Sequence, residues 1–113
     1  MNQKYEQQIK KGVFEILVLK LLEKEEKYGY QLINELKNKS NQMFILKEGT
    51  LYPILYRMED DGLVISRWSE PKGKEVSRKY YAITESGKQV LSEMLVLWMG
   101  FSSNVTSILE VNQ

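Results

Sequence analysis

Three consecutive carboxylates, Glu59-Asp60-Asp61, are the residues that come closest to a catalytic or metal-binding group in this sequence. Acid–base catalysis and magnesium binding both use paired carboxylates, but each also needs a further ligand or an enclosing pocket. The chain contains no cysteine and no histidine. Because this removes thiolate chemistry and the commonest general base, the sequence predicts neither an enzyme nor a metal or cofactor site.

A second group of charged residues is better suited to binding than to catalysis. The chain has a formal net charge of +1, yet residues 62–82 hold five cations against two carboxylates. The five cations are Arg67, Lys72, Lys74, Arg78 and Lys79. Long cationic side chains beside a turn reach the phosphates of a nucleic acid without being buried. The charge pattern therefore favours a polyanionic partner at this stretch.

Apolar spacing predicts two helices near the start of the chain. The first covers about residues 5–26, and its expected stripe is Ile9, Val13, Ile16, Leu17 and Leu21. Further apolar residues make most of this helix hydrophobic, so it is expected to face a second surface besides its own core. The second helix is predicted from about Tyr28 to Leu36, with Leu32, Ile33 and Leu36 on one side.

A third helix is predicted between Gly49-Thr50 and Gly62. Pro53 is expected in its first turn, since a later proline loses a hydrogen bond and clashes with the carbonyl four residues back. At 100° per residue, one face of this helix is apolar and is expected in the core. That face consists of Leu51, Ile54, Leu55 and Met58.

The remaining chain predicts a hairpin and a long helix. Segments 63–69 and 76–83 are rich in β-branched and aromatic residues, and Pro71 and Gly73 lie in the turn between them. Thr84 is the expected N-cap of the final helix. So much apolar surface on a terminal helix calls for a partner, although the helix folding back onto its own domain is an alternative.

This order of elements predicts a mainly α (α+β) fold, a winged helix-turn-helix domain over residues 1–84, followed by a C-terminal dimerisation helix over 85–113. In such domains the third helix enters the DNA major groove and the wing follows the backbone. The expected DNA-binding residues are Thr50, Tyr52, Pro53, Tyr56, Arg57, Lys72, Lys74, Arg78 and Lys79. The alternative is that Tyr52 packs against the wing and that Arg57 neutralises Asp60 or Asp61.

Several motifs together resemble the PadR family of transcriptional regulators. They are Tyr28-Gly29-Tyr30-Gln31-Leu32, Gly49-Thr50-Leu51-Tyr52-Pro53-Ile54-Leu55, Glu59-Asp60-Asp61-Gly62-Leu63 and residues 77–87. The resemblance covers about residues 8–110 and implies a homodimeric repressor whose final helix builds the dimer interface together with helix one. The interface residues that we expect are Ile9, Leu91, Leu95, Phe101, Val105 and Ile108.

The single C-terminal helix resembles the smaller PadR subfamily, which includes multidrug-responsive regulators. The resemblance implies that Trp98 stacks a small planar aromatic effector in a pore at the dimer interface. By helical phase, the pore would be lined by Val13, Leu17, Met94 and Trp98. The alternative for Trp98 is ordinary packing in the core or interface.

Two other functions remain open. A winged-helix module that binds protein is consistent with the near-zero net charge and the acidic end of helix three, and a regulator that senses a partner protein would need no pocket. In every case the start of the chain lacks a signal peptide, and no apolar run of 18 residues occurs. The sequence therefore predicts a cytoplasmic protein without membrane contact.

Overall fold

The computed structural model describes residues 5, 9, 10 and 12–110, which form helices and a small sheet. The elements in chain order are α1 Val13–Leu22, β1 Lys27–Tyr28, α2 Gly29–Lys39, α3 Glu48–Asp60, β2 Val64–Trp68, β3 Lys79–Ile83 and α4 Glu85–Leu109. The fold is mainly α with an antiparallel sheet, as the sequence predicts. Helices α2 and α3 form the helix-turn-helix, and β2 and β3 form the wing.

The sheet is antiparallel with the strand order β1-β3-β2, so β3 lies in the centre. Strand β1 was not predicted, because a strand of two residues is too short to show an alternating pattern. Directly opposed residues share a face of the sheet. On the face toward α3 the opposed pairs are Val64 with Ile83, Ser66 with Tyr81 and Trp68 with Lys79.

The hydrophobic core lies between the helices and this face of the sheet. Each of α1, α2 and α3 contributes one apolar stripe, and α4 contributes its first turns. The buried residues are Val18, Leu19, Leu22, Leu32, Leu36, Leu46, Leu51, Ile54, Leu55, Met58, Leu63, Val64, Tyr81 and Leu91. The predicted core face of α3 is therefore confirmed.

Helix α1 differs from its prediction in length and in phase. The structure ends the helix at Leu22, and Gly12 precedes it with a φ of 90°, a conformation that favours glycine. The residues that α1 buries are Val18, Leu19 and Leu22, whereas the predicted stripe of Val13, Ile16, Leu17 and Leu21 is only half-buried and Ile9 is exposed. A helix that is apolar nearly all round does not reveal from its sequence which side faces the core.

Helix α3 begins earlier than predicted. Lys47 is the N-cap and Glu48 the first residue, so Pro53 lies inside the helix and not in its first turn. The prediction for Pro53 was wrong because it assumed that the lost hydrogen bond could not be tolerated. Pro53 has no amide to donate to the Gly49 carbonyl four residues back, and Gly49 lies on an exposed part of the helix where water can bind that carbonyl.

Helix α4 is anchored at its N-terminus and exposed beyond it. The Thr84 hydroxyl accepts a hydrogen bond of 2.9 Å from the Gly87 amide and donates one of 2.7 Å to the Gly62 carbonyl, which confirms the predicted cap. The residues that α4 buries are Gly87 and Leu91. None of the helices in the described part of the chain has the length and apolarity needed to cross a membrane.

Candidate nucleic-acid interface

The side of α3 that faces away from the core presents the start of a candidate interface. Thr50, Pro53, Tyr56 and Arg57 are exposed on it, as predicted. Because the core stripe occupies the opposite side of the same helix, these residues are held on a rigid element. The hydroxyls and the guanidinium can bond base edges or phosphates, and the threonine methyl can contact thymine.

Tyr52 does not belong to this exposed side. It is half-buried with its phenol against Gly29 at the start of α2, where a Cβ on residue 29 would lie 2.4 Å from the Tyr52 hydroxyl oxygen. Burial, and then the nearby Glu48 and Tyr56, raise the pKa of Tyr52. The prediction of a solvent-facing Tyr52 was wrong. Its ring packs α3 against α2, and it lies near enough to Tyr81 on β3 to help raise the pKa of Tyr81, in line with the alternative that placed it against the wing.

Arg57 is exposed but occupied by a carboxylate from another helix. Its Nε donates a hydrogen bond of 2.8 Å to Glu15 Oε1, and its Nη2 donates to the same oxygen. The predicted alternative partners, Asp60 and Asp61, do not pair with it. Since Glu15 lies on α1, this ion pair joins the exposed side of α3 to the first helix.

Lys79 lies where α3 meets the wing. Its ammonium is 5.5 Å from the ring centroid of Tyr56 on α3, 5.9 Å from that of Trp68 on β2 and 5.6 Å from that of Tyr81 on β3. Cation–π attraction within about 6 Å holds an ammonium without neutralising it. Lys79 therefore presents a positive charge at a fixed point between helix and wing.

Arg78 is held in a similar way on the opposite face of the sheet. Its guanidinium carbon lies 4.6 Å from the ring centroid of Tyr28, and its Nη1 donates a hydrogen bond of 2.9 Å to the Tyr28 hydroxyl. The base of the wing is closed by the Ser69 amide, which donates to the Arg78 carbonyl, while the Arg78 amide donates to the Ser69 hydroxyl. Lys72 and Lys74 are exposed at the tip.

Arg67, the fifth cation of the stretch, is committed to a structural ion pair. It donates two hydrogen bonds to the Glu26 carboxylate, one of them 3.0 Å from Nε, and it stacks on Tyr80. The hydrogen bond from Arg67 lowers the pKa of Glu26, even though partial desolvation opposes this. Arg67 therefore fixes the segment before β1 against the wing and leaves the other four cations for a partner.

Tyr81 lies beneath Lys79 and is fully buried. Within the described residues its hydroxyl has no hydrogen-bond partner. Burial, and then nearby Tyr56 and Glu59, raise the pKa of Tyr81 to about 12.

Glu59, one of the three consecutive carboxylates, accepts a hydrogen bond of 2.6 Å from the Ser66 hydroxyl and so ties α3 to β2. Among the residues described here, acidic side chains form no cluster that could hold a metal ion.

The residues expected to bind an effector lie where α1 packs on α4. Val13, Leu17 and Met94 are half-buried, and Trp98 is 39% exposed with its ring stacked on Phe101 at a centroid distance of 6.1 Å. A cavity of about 680 Å³ between α1 and α2 includes Leu17 but none of the other three. Lys27 also lines this cavity. Burial lowers the pKa of Lys27, but its ion pairs with Glu35 and Glu25 outweigh this effect and raise the pKa overall.

The residues expected at a dimer interface fall into two groups. Leu91 is 1% exposed inside the core of its own chain, and Leu95 is half-buried against that core. Leu91 is therefore not a surface residue, because the first turns of α4 pack inward. Ile9, Phe101, Val105 and Ile108 are exposed, as such an interface requires.

Two residues of the candidate nucleic-acid interface were not predicted, namely Trp68 and Glu15. Trp68 could have been found, because the hairpin register places it directly opposite Lys79. Glu15 could not, since it lies 42 positions from Arg57 and its partner depends on how α1 packs on α3.

A helix-turn-helix followed by an antiparallel wing with exposed cations defines a winged helix-turn-helix protein. The profile of the transcriptional regulator PadR-like family matches residues 18–93. The chain therefore belongs to the PadR-like family. The family consists of transcriptional regulators, which agrees with the prediction that the chain is not an enzyme.

Individual relatives support the same assignment. The negative transcriptional regulator PadR of Bacillus subtilis is 32% identical over 84 residues, which are 74% of this chain and 46% of that protein. A PadR family regulator from Eggerthella lenta has a TM-score of 0.84 at 32% identity and covers 97% of this chain, with 93% of its own chain matched. Bacillus subtilis PadR in complex with operator DNA has a TM-score of 0.67 at 32% identity, over 74% of this chain and 48% of that chain.

Proposed function

We propose that this chain is a sequence-specific DNA-binding repressor of transcription that acts as a homodimer. The observation on which this proposal depends most is the position of Lys79, whose charge is held by aromatic rings from both α3 and the wing. In this proposal one double helix contacts this charge, the exposed side of α3 and the wing tip. The likeness to a PadR protein in complex with operator DNA supports the proposal. Such a protein works in the cytoplasm, where it reaches the DNA.

In this proposal α3 is the recognition helix. Its exposed residues Thr50, Tyr56 and Arg57 contact base edges or phosphates in the major groove, and Pro53 packs close to the backbone. The cations of the wing bind phosphates that flank the groove, because long cationic side chains beside a turn reach phosphates without being buried. Three of them are exposed and Lys79 is half-buried. Those cations are Lys72, Lys74, Arg78 and Lys79.

The homodimer is proposed from the C-terminal half of α4. Residues 94–109 contain no charged side chain, and large apolar residues are exposed along them. The exposed residues include Leu97, Met99, Phe101, Ile108 and Leu109. Monomeric soluble proteins rarely expose so continuous an apolar surface. The C-terminal half of α4 thus supplies the dimer contact, while the first turns of α4 anchor it to the winged helix. Residues 111–113 of the predicted dimerisation segment lie outside the described residues.

The proposal also includes a small planar hydrophobic effector at the dimer interface. Trp98 and Met94 lie one turn apart on α4, and Val13 and Leu17 lie one turn apart on α1, which packs against it. Aromatic and methionine side chains suit flat ligands of varied shape. An effector releases DNA if it binds more tightly to the arrangement of the two recognition helices that cannot bind DNA. A tenfold loss of DNA affinity requires a preference of about 1.4 kcal/mol for that arrangement.

The DNA-binding proposal is tested by fluorescence anisotropy with a labelled duplex from upstream of the protein's own operon. A duplex of the same composition in scrambled order is the matched control. We expect the native duplex to bind at least 100-fold more tightly, because base contacts add to the phosphate contacts that both duplexes offer. Absence of saturable binding to either duplex at low salt would contradict the proposal and favour a protein-binding winged-helix module.

The effector proposal is tested separately by Trp98 fluorescence during titration with planar aromatic compounds. The variant Trp68→Phe leaves Trp98 as the one indole, and Trp98→Phe is the matched control. We expect saturable quenching of Trp98 and release of the duplex at the same concentrations. If no compound quenches Trp98 selectively, the effector proposal is wrong while DNA binding stands.

A further inference from the structure

Trp68 has the features of a binding residue, because the hydrophobic core of the chain does not need its side chain. It lies at the end of β2 with 64% of its surface exposed, so its indole contributes little to folding. An exposed tryptophan is unusual on a protein surface, since its large apolar area is costly to hydrate. Tryptophan is enriched at interfaces because it offers contact area, rigidity and one N–H donor.

The surroundings of Trp68 indicate what it contacts. It pairs directly with Lys79 across the hairpin, and the Lys79 ammonium lies within 6 Å of both the Trp68 and the Tyr56 rings. Tyr56 is 49% exposed on the outer side of α3. Trp68, Lys79 and Tyr56 therefore form one continuous patch, in which a cation lies between two exposed aromatic rings.

This patch matches the chemistry of a DNA backbone. A phosphate that pairs with the Lys79 ammonium would lie beside the Trp68 and Tyr56 rings, whose centroids are 5.9 and 5.5 Å from that ammonium. The indole N–H and the phenol hydroxyl are both groups that can donate to a phosphate oxygen. The faces of the two rings are then left beside the deoxyribose groups that flank this phosphate. A small anion would use the cation but would leave both aromatic faces in water.

We propose that Trp68 is a DNA-contacting residue, which binds the sugar–phosphate backbone beside the phosphate of Lys79 and joins the recognition helix to the wing. This inference rests on the proposed function, because it needs duplex DNA as the partner. It adds a contact that is uncharged, so its contribution to affinity differs in salt dependence from that of the lysines.

The two tryptophans of the chain make a matched test possible. Trp98→Phe leaves Trp68 as the one indole, and Trp68→Phe leaves Trp98. Each variant is titrated with the unlabelled duplex from upstream of its own operon while acrylamide quenching is measured, and anisotropy of the labelled duplex reports binding independently. We expect the quenching constant of Trp68 to fall at least twofold at saturation and that of Trp98 to stay unchanged.

Substitution at the same position supplies a second measurement. We expect Trp68→Ala to raise the Kd for the duplex about five- to tenfold with an unchanged salt dependence, and Trp68→Phe, which retains a ring but loses the N–H donor, to raise it by about two- to fivefold. Thermal unfolding followed by circular dichroism checks that both variants are folded, as the exposure of Trp68 predicts. If Trp98→Phe destabilises the fold, the fluorescence of wild type minus that of Trp68→Phe gives the quenching of Trp68 instead.

The outcomes separate this inference from the proposed function. If anisotropy saturates while the quenching of Trp68 is unchanged, or if folded Trp68→Ala binds as tightly as wild type, the inference is wrong and DNA binding stands. If anisotropy does not rise for the wild-type protein, the proposed function is wrong and the inference falls with it.

Discussion

Two exposed regions of this molecule differ in how their side chains are satisfied. On the side of α3 and the wing, three of the cations are held by neighbours within the same chain: Arg57 by Glu15, Arg78 by Tyr28, and Lys79 by three aromatic rings. The C-terminal half of α4 has no charge over residues 94–109 and leaves Phe101 and Ile108 exposed at 64% and 81%.

The difference indicates what each region does. A surface whose polar groups are already oriented is stable in water and ready to meet a partner that comes and goes, such as DNA. An uncharged surface of large apolar residues gains about 25 cal/mol for each Å² that it buries, and so favours a lasting partner such as a second copy. Each of the following predictions changes one of the two regions and leaves the other intact.

The largest effect is expected from a charge placed in the apolar region. We expect Phe101→Glu to weaken dimerisation at least 100-fold, because a carboxylate buried without a partner costs several kcal/mol. Light scattering after size exclusion should then report the chain mass of 13.3 kDa instead of twice that value. Gln89→Glu adds the same charge to an exposed position near the anchored end of α4 and should remain dimeric. A Phe101→Glu protein that is still dimeric would show that the dimer forms elsewhere.

A smaller effect is expected from removal of a held cation. We expect Lys79→Ala to raise the Kd for the duplex about tenfold and to reduce the slope of log K against log salt by about one for each lysine removed, hence by about two in a dimer. Anisotropy at several salt concentrations measures both quantities. Lys88→Ala removes a cation that pairs with Glu85 on α4 and should leave the slope unchanged. Equal slopes for the two variants would place Lys79 outside the interface.

Release of a held cation should act in the opposite direction. We expect Glu15→Gln to tighten DNA binding about threefold, because the carboxylate no longer competes with phosphate for Arg57. The change in unfolding free energy should stay below about 1 kcal/mol, since the Arg57 side chain of the pair is exposed and Glu15 is only half-buried. Glu23→Gln, which removes an equal charge from the Lys20 pair, controls for net charge in the same anisotropy assay. If Glu15→Gln and Glu23→Gln bind the duplex with the same Kd, the Glu15 carboxylate does not limit DNA binding by Arg57.

The smallest effect is expected beneath Lys79, at the buried Tyr81. We expect Tyr81→Phe to leave the free energy of unfolding at pH 8 unchanged or to raise it by up to about 1 kcal/mol, because the hydroxyl has no partner among the described residues. The pKa of Tyr81 in the folded chain is raised to about 12, above its ordinary value of 10.0. The stability from keeping this phenol neutral is therefore complete below pH 10 and is lost as the pH rises toward 12. In urea unfolding, the free energy of unfolding should fall less between pH 8 and pH 11 for Tyr81→Phe than for wild type. An equal fall in both proteins would contradict the raised pKa of Tyr81.

Much of the fold could be predicted because local signals agree with the tertiary structure. The core stripe of α3, the hairpin and the Thr84 cap each follow from a spacing or a residue type, and each is confirmed. The phase of α1 could not be predicted, because nearly all of its sides are apolar and only packing selects the buried one. The position of Pro53 also depended on context, namely an exposed Gly49 carbonyl.

The candidate site was less accessible to sequence reasoning. Exposure of Thr50, Pro53, Tyr56 and Arg57 follows from helical phase and is confirmed. The half-burial of Tyr52 depends on the absence of a side chain at Gly29, which lies on another helix. The hold on Arg57 by Glu15 likewise depends on contacts between distant segments, which a single sequence does not reveal. The dimer and effector residues stay predictions.

The central claim, that α3 and the cations of the wing bind duplex DNA, is tested most directly by the salt dependence of wild-type binding. Four cations in each chain give about eight phosphate contacts in a dimer, so the affinity for the operon duplex should fall about 10³-fold or more between 50 and 200 mM salt. The same titration should saturate at two chains for each duplex. An affinity that changes less than threefold over this range, or the absence of saturation at 50 mM salt, would contradict the account.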